Sequence, residues 1–524
     1  MKKWLIPVAI LPILWLLYAN LSGVPAKRFK FVPQRAVYYQ DFGAKGDGKS
    51  DDLAAIVAAH EYANKHNYPV RAKDNAEYYL GGADLTAQIK TDTDFGTARF
   101  IIDDTAVERR TAHVFMISSD HKSFTPEGIT TLSLGQKRLP VPLPATSLVT
   151  VKDANVKRYI RSGVNASSGA AQTDIFIADK DGYIDMNSPI IWDFEQITEI
   201  SALPLDEKTL TVSGGHFTTI ANSEGGRHKY YNRGIAVRRS NVVVDGFKHH
   251  VIEPKSDSSY PYGGFIDIAD CANVTVQNAL FTGRKQYFYE PEGEGKPSST
   301  GTYDIIATRA LNVSFINCAQ SNSITDKSYW GIMGSNFCKN LLFDGCSLSR
   351  FDAHMGVANA TIRNSTLGHQ GINAIGSGTL TVENTTGNGS SLVNLRSDYG
   401  STWNGKLIIR NCTFVPLGGA KGVGRIIEGG NAGYHNFGYT CYMPETIEID
   451  NLHIKDGNHP EQYDGIAILG NFNRAYRTPE YQETHPYIKT REVIVRNLTT
   501  ESGKPWRLSD NPVMFREVKV TNLQ

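Results

Sequence analysis

The chain carries almost no net charge: 54 Lys and Arg residues stand against 53 Asp and Glu in 524, a formal +1. Nothing global in that balance points to nucleic acid, and no nucleic-acid partner is expected. The apolar run at residues 4–19 is short for a membrane-crossing helix, and Pro7 and Pro12 interrupt it. It follows Lys2 and Lys3 and has the length and flanks of a secretory signal. Residues 1–26 are therefore read as a signal peptide, cleaved after Ala26 or Ala19, leaving no stable membrane span. The mature protein is expected to be secreted or periplasmic. No cysteine follows the run, which argues against a bacterial lipid anchor.

Cysteine is scarce too, with six in the chain. An exported protein invites a disulfide reading, but the positions favour another. Cys318, Cys346 and Cys412 each follow the same corner of a repeated unit, while Cys271 and Cys338 each sit two residues before the next unit. Equivalent positions on stacked units share an orientation, so inward-facing thiols are expected. A Cys318–Cys346 bridge is the alternative, because neighbouring coils lie about 4.8 Å apart.

That repeated unit is the dominant signal. A short alternating strand, then Asn or Gly, then a small or apolar residue recurs as NVVVDGF, NVTVQNA, NVSFINC, NLLFDGC, ATIRNS, TLTVENT, KLIIRNC, TIEIDNL, EVIVRNL and EVKVTNL. The expected corners are Gly246, Asn278, Asn317, Gly345, Asn364, Asn384, Asn411, Asn451, Asn497 and Asn522. Asn and Gly enter the left-handed region most cheaply. A left-handed corner after each strand, at roughly 20–45-residue intervals, describes a β-solenoid. Uneven spacing means that each coil keeps its corner and varies one loop, and varied loops on one side build a groove. The N-x-S/T triplets at Asn273, Asn312, Asn364 and Asn411 fall on repeat starts or corners and are read as architecture rather than glycosylation.

Near the N-terminus, residues 41–52 form a Gly/Asp-rich turn segment. Ser50 and Asp51 are placed to cap a helix bearing Leu53, Ile56, Val57 and Tyr62 at helical spacing. The stretch DFGAKGDGKSDDLAAI resembles the N-terminal signature of the pectate-lyase-like superfamily of right-handed parallel β-helices. The resemblance covers this cap and the repeat region, and implies an all-β right-handed parallel β-helix with a short capping helix. It says little of chemistry, since the superfamily includes lyases, hydrolases, epimerases and phage tailspikes. The expected organisation is cap and first coils over 27–104, a β-rich insertion with early coils over 105–223, and the groove-bearing β-helix over 224–524.

In the resembling superfamily, the strand after the variable loop lines the groove. Here those strands are 263–268, 302–308, 328–334, 352–357, 371–376, 392–397 and 425–430. The central ones carry Lys327, Tyr329 and Trp330, then Arg350, Asp352 and His354, then His369 and Asn373, then Asn394, Arg396 and Asp398. Two arginines, a lysine, two histidines and aromatic rings on one face suit an acidic polysaccharide, because guanidinium pairs with carboxylate in a fork.

The expected function is a polysaccharide lyase acting by β-elimination on a uronic-acid-containing chain. Arg350 or Arg396 would neutralise the uronate carboxylate, with Asn373 or Asn394 assisting. Lys327 or His354 would take the proton, and Tyr329 or His369 would protonate the leaving oxygen. Trp330 and Asp352 complete the binding surface. Calcium is a possible neutraliser through Asp267, Asp304, Asp352 or Glu428, although these form no recognisable cluster; no other cofactor is expected. A glycoside hydrolase using Asp352 with Asp304 or Asp267 is the alternative. The chain lacks the Asp-Asp and Arg-x-Lys motifs of the polygalacturonase branch, and GHQG at Gly368 only faintly matches that branch's Gly-His-Gly. A non-catalytic glycan-binding solenoid is the third reading, with the signal peptide arguing against a tailspike. The sequence carries no indication of oligomeric state.

Overall fold

A strand such as Val242–Asp245 buries alternate residues, Val242 and Val244, and then turns at Gly246. Repetition of this step winds the chain into stacked coils with three parallel ladders. The computed structural model describes residues 35–523 except 162–166, 223–229, 253–261, 284–286, 290–297, 301–302, 330–332, 418–423, 431–439 and 484. The signal expected at 1–26 and Trp330 lie outside the described residues.

The first ladder runs through Leu210–Ser213, Val242–Asp245, Ala272–Gln277, Leu311–Ile316 and Lys339–Asp344. It continues in Ser347–Arg363, Thr366–Glu383, Trp403–Pro416, Thr446–Ile454, Glu492–Thr500 and Lys519–Leu523. The second, after the corner, stacks Arg99–Asp103, His216–Ile220, Lys248–Ile252, Leu280–Phe281 and Ala319–Gln320. Above these it uses residues 347–348, 366–367, 386–389, 413–416 and 452–454. The third stacks Ala87–Ile89, Phe115–Ser118, Ile235–Arg238, Gly263–Ala269, Tyr303–Thr308 and Met333–Asn336. It continues through 350–353, 371–374, Ser391–Leu395, Gly424–Glu428, Ile466–Leu469 and Arg507–Ser509. The fold is a right-handed parallel β-helix. Its third-ladder strand in the coil of Tyr329 begins at Met333, later than the sequence boundary of 328, and Arg350 to His354 fall inside one continuous strand, Ser347–Arg363.

Nine of the ten expected corners have positive φ, ranging from 74° at Gly246 to 47° at Asn384. Asn522 does not turn: it lies in the strand Lys519–Leu523 opposite Val495 and has no positive φ. A second left-handed row, not anticipated, precedes the first ladder at Asn241, Asn273, Asn312, Asn340 and Asn359, with φ of 56–59°. Its side chains form a continuous amide ladder. Asn273 donates to Asn241, Asn312 to Asn273 and Asn340 to Asn312, each at 2.9 Å, and Asn359 donates to Asn340 at 3.2 Å. The corner row does the same where asparagines are stacked: Asn451 donates to Asn411 and Asn497 to Asn451, both at 2.9 Å. Each stacked amide thus satisfies its neighbour while holding a backbone conformation that most residues resist.

Between the ladders lies a dry core that includes the thiols. All six cysteines are buried, and Cys318 and Cys346, as separate thiols, donate to the carbonyls of Val276 and Phe315 at 3.4 and 3.3 Å. At the N-terminal end, helix Leu53–His66 buries Leu53, Ile56, Ala59, His60 and Ala63. Tyr62 is exposed instead of buried, because Ala59 and Ala63 form the contact face. Asp51 accepts from the Leu53 amide at 3.0 Å, whereas Asp52 binds the amides of Lys45 and Gly46 in the preceding turn. Among the described residues, no helix is long and apolar enough to cross a membrane.

The stretch after Phe115–Ser118 leaves the coil. Ser147–Arg158, Ala170–Ala178 and Glu199–Pro204 form a separate antiparallel sheet around Val149, Val151, Phe176, Phe194 and Ala202. A fully buried ion pair docks it: Lys339 Nζ lies 2.7 Å from Asp174 and donates to the Pro189 carbonyl at 2.6 Å. Burial lowers the Lys339 pKa, and Asp174 works against that shift. Each charge in such a pair needs the other.

Two outcomes follow from these arrangements. Asn312→Ala loses both amide partners and the left-handed preference, and should cost about 2–3 kcal/mol. Asn312→Gly keeps the backbone freedom and should cost less; equal thermal midpoints for the two variants would refute the left-handed backbone's share of that cost. Burial also pushes His60 down to about 3, with its Nε2 3.0 Å from the Tyr39 hydroxyl. The unfolded imidazole protonates near 6.5 and the folded one resists. Stability is therefore complete above about pH 6.5 and falls by about 1.4 kcal/mol per pH unit below it. Denaturation between pH 6.5 and 5 should show a shallower slope in His60→Gln; an unchanged slope would contradict this assignment.

Candidate functional site

In the upper third ladder, Phe351, Ala353, Ile372, Ala374, Val393, Leu395 and Ile427 face the core. The residues between them form a polar row in strict register: Asp352 opposite Asn373, Asn373 opposite Asn394, Asn394 opposite Glu428. Asn394 donates to Asn373 Oδ1 at 2.8 Å, and Asn373 donates to the Gln370 carbonyl at 3.0 Å. Strand periodicity places these side chains together although their sequence positions are far apart.

The lower end of this row is a buried charge cluster. Arg350 and Asp352 form an ion pair, with 4% and 0% of their side chains exposed. Burial pushes the Arg350 guanidinium down to about 10, and it lies 5.7 Å from the Tyr303 ring centroid. His354 sits 2.7 Å from Asn336 Oδ1 and edge-on to Tyr399. Burial, then the charges of Arg396, Arg350 and Arg161, drives its pKa well below the ordinary imidazole value. Arg396 pairs with Asp398 at 2.9 Å, and Arg161 from the inserted region pairs with the same carboxylate at 2.7 Å. Arg350, Asp352, His354, Asn373, Asn394 and Arg396 are thus brought onto one face, with both arginines already matched to carboxylates.

Lys327, Tyr329 and His369 form a second group, and the Arg350 charge is among the causes that lower the His369 pKa. Lys327 is exposed on the segment that follows Ala319–Gln320. The His369 Nε2 lies 2.8 Å from the Tyr329 carbonyl, and burial leads the causes that lower its pKa. The acids considered as partners of Asp352 have their own contacts. Asp267 is bound by Arg238 at 2.7 Å and approached by His113 at 3.3 Å. Asp304 is fully buried, 3.4 Å from His249 and accepting from the Gly283 amide at 3.1 Å. Among the described residues, no group of three or more acidic, His or Cys side chains could hold a metal ion.

Further along the row the geometry opens. A cavity of about 640 Å³ is lined by Asn394, Ser397, Glu428, Asn471, Asn473, Arg474 and Tyr481 with the adjoining backbone. Ile427, Leu469 and Ser509 form one rung. One residue beyond stand Glu428, Gly470 and Asp510, so two carboxylates flank a position without a side chain. Arg425 bonds both Glu428 and Asp510, and Arg507 holds Asp510 at 2.6 Å. Burial alone would lower the Arg425 pKa, but its bonds to Asp510 and Glu428 outweigh that and raise it. A Cβ on Gly470 would come within 3.1 Å of Arg425 Cδ and 3.2 Å of Glu428 Oε1. Glycine therefore leaves the space in which the carboxylates approach each other.

Sequence reasoning reached Glu428 only as a possible calcium ligand and passed over Arg425, Arg507 and Asp510. The signal was present as a spacing repeated on three coils: Arg-x-x-Glu at 425–428, Ala-x-x-Gly at 467–470, Arg-x-x-Asp at 507–510. It is invisible until the strands are stacked, because the intervals between them are unequal.

No known family model matches the chain, and no curated protein sequence does. Among solved structures, it is similar to the tailspike gp61 of Pseudomonas phage phi297, at 13% identity and a TM-score of 0.56 over 93% of this chain and 84% of that one. It is also similar to the tailspike gp49 of Pseudomonas phage LKA1, at 12% identity and 0.53 over 90% and 78%. A third, the gp54 tailspike of Acinetobacter baumannii bacteriophage AP22, was solved in complex with A. baumannii capsular saccharide; it matches at 10% identity and 0.52 over 93% and 79%. At these identities the likeness is one of fold, and the fold they share with this chain is the right-handed parallel β-helix.

Proposed function

We propose that the protein is an exported glycoside hydrolase that cleaves a polysaccharide laid along the third ladder, with Glu428 and Asp510 as its two catalytic carboxylates. The observation that carries this reading is their position on either side of Gly470, joined by Arg425, with Glu428 in the wall of the 640 Å³ cavity. Glycosidic hydrolysis needs two carboxyl groups across the scissile bond, one to protonate the leaving oxygen and one to activate water or attack the anomeric carbon. Two rungs separate the pair by roughly 10 Å at the backbone, and their shared guanidinium draws the side chains closer than that. The amides of Asn394 and Asn471 line the same cavity and offer hydrogen bonds to sugar hydroxyls, and exposed Tyr481 offers a ring to stack on a sugar face. A saccharide-bound tailspike of the same fold supports a polysaccharide as the ligand class.

A lyase is the second reading, favoured by one feature. His354 is held neutral beside the guanidinium charges of Arg396, Arg350 and Arg161, the combination of base and carboxylate neutraliser that β-elimination needs. Against it, each of these arginines is close to a carboxylate of the protein itself.

Glu428→Gln and Asp510→Asn should each lower turnover by about 10²–10⁴-fold, while binding of an oligosaccharide product changes less than about threefold. A panel of acidic and neutral polysaccharides, followed by reducing ends and by ultraviolet absorbance, reads the chemistry directly. Reducing ends without absorbance are expected. A rise from unsaturated uronides, lost in His354→Ala and retained in Glu428→Gln, would replace the hydrolase with the lyase.

A further inference from the structure

A second cavity, of about 420 Å³, shares no lining residue with the first. Its wall is built from three segments far apart in sequence: Thr325 and Lys327, Val415 to Leu417, and Lys455, Asn458 and His459. All three segments leave the second ladder at its far end. The Lys327 segment starts from Ala319–Gln320, and successive rungs above it are Ser347, Thr366, Thr386 and Thr413. Four rungs amount to about 19 Å along the axis, so this segment climbs the stack to carry its lysine to the cavity.

The climb is fastened. The His369 amide donates to the Ile324 carbonyl at 2.9 Å, and the His369 ring meets the Tyr329 carbonyl at 2.8 Å. Gly368 is where the segment crosses the coil: a Cβ there would sit 1.7 Å from the Ile324 carbonyl oxygen, so no other residue admits this path. This accounts for a glycine in GHQG without any catalytic part for it.

The charged lining groups are all of one sign or neutral. Lys327 and Lys455 are exposed ammonium groups, and among the described residues no carboxylate belongs to the lining. Asp326, beside Lys327, is occupied by the Ser328 amide at 2.8 Å. The His459 ring lies tilted against Tyr463, with centroids 4.0 Å apart, and its Nδ1 lies 3.2 Å from the Asp456 carbonyl, which makes Nδ1 the donor. Its Nε2 is buried, with no hydrogen-bond partner among the described residues. The rest of the floor is Val415, Pro416 and Leu417.

We propose that this cavity is an accessory binding site for an anionic sugar unit, a uronate or a sulfated residue, distinct from the cleavage groove. The two ammonium groups hold the carboxylate or sulfate, the exposed Asn458 amide offers hydrogen bonds to ring hydroxyls, and the apolar floor receives the C–H face of the ring. The site anchors a long acidic chain away from the point of cleavage and does not depend on which reaction the groove performs.

The test is calorimetric binding of trigalacturonate to the Glu428→Gln protein at low salt, where no cleavage confuses the titration. Lys327→Ser with Lys455→Ser in that background should weaken binding at least tenfold at an unchanged melting temperature. Replacing both lysines by arginine should retain binding. The methyl-esterified trisaccharide should bind at least tenfold more weakly than the free acid, and inorganic sulfate should compete only at far higher concentration. Equal binding by the double serine variant, equal binding of the methyl ester, or sulfate binding as tight as the saccharide's would each overturn the proposal. Loss of cleavage in Glu428→Gln is a separate readout: where that variant still cleaves, the hydrolase reading fails by itself, and the same titrations in the Glu428→Gln, His354→Ala protein test this site.

Discussion

Everything in this molecule depends on turning the chain the same way at every coil. A left-handed residue costs most side chains about 1–2 kcal/mol, and a solenoid has to place one at each corner. Asparagine meets the requirement twice. Its short polar side chain tolerates the backbone, and its amide donates to the asparagine of the coil below, as along Asn241, Asn273, Asn312, Asn340 and Asn359. Two such rows flank the first ladder, so its strands can neither slip in register nor change length. The other two ladders inherit that register.

Register is what makes a functional surface possible here. Asp352, Asn373, Asn394 and Glu428 stand in one row only because each third-ladder strand is held at the same height and parity. The same rule puts Gly470 between Glu428 and Asp510, and Ala467 between Arg425 and Arg507. The rigid ladders thus supply alignment, and the chain between them supplies variety. Segments between the second and third ladders climb the stack, as the one carrying Lys327 does. Segments after the third ladder wall the larger cavity with Asn471, Asn473 and Tyr481.

The fold was legible because its cause is local. An alternating strand followed by Asn or Gly states both the period and the turn, and nine of the ten corners could be named from it. The tenth, Asn522, has the right residues but stays within its strand, paired with Val495. The second asparagine row was equally visible in letters, at the first position of NVVV, NVTV, NVSF and NLLF, yet nothing local distinguishes a turn from the first residue of a strand. The site was harder to read, because proximity there is set by coil number rather than by sequence. Arg350, Asp352, His354, Asn373, Asn394 and Arg396 do share a face. Lys327, Tyr329 and His369 form a second group, held where the segment bearing Lys327 leaves its own coil and meets His369. Whether an arginine is available is also a matter of partners: the carboxylates of Asp352 and Asp398 occupy Arg350 and Arg396. No residue count foretells that.

The most direct test of the account is a crystal structure of the Glu428→Gln protein with an oligosaccharide of its substrate. The account predicts a sugar chain running parallel to the coil axis beside Asn394, with a glycosidic oxygen between residue 428 and Asp510 over Gly470. A chain bound instead over His354 and Tyr399, with residue 428 and Asp510 untouched, would contradict it.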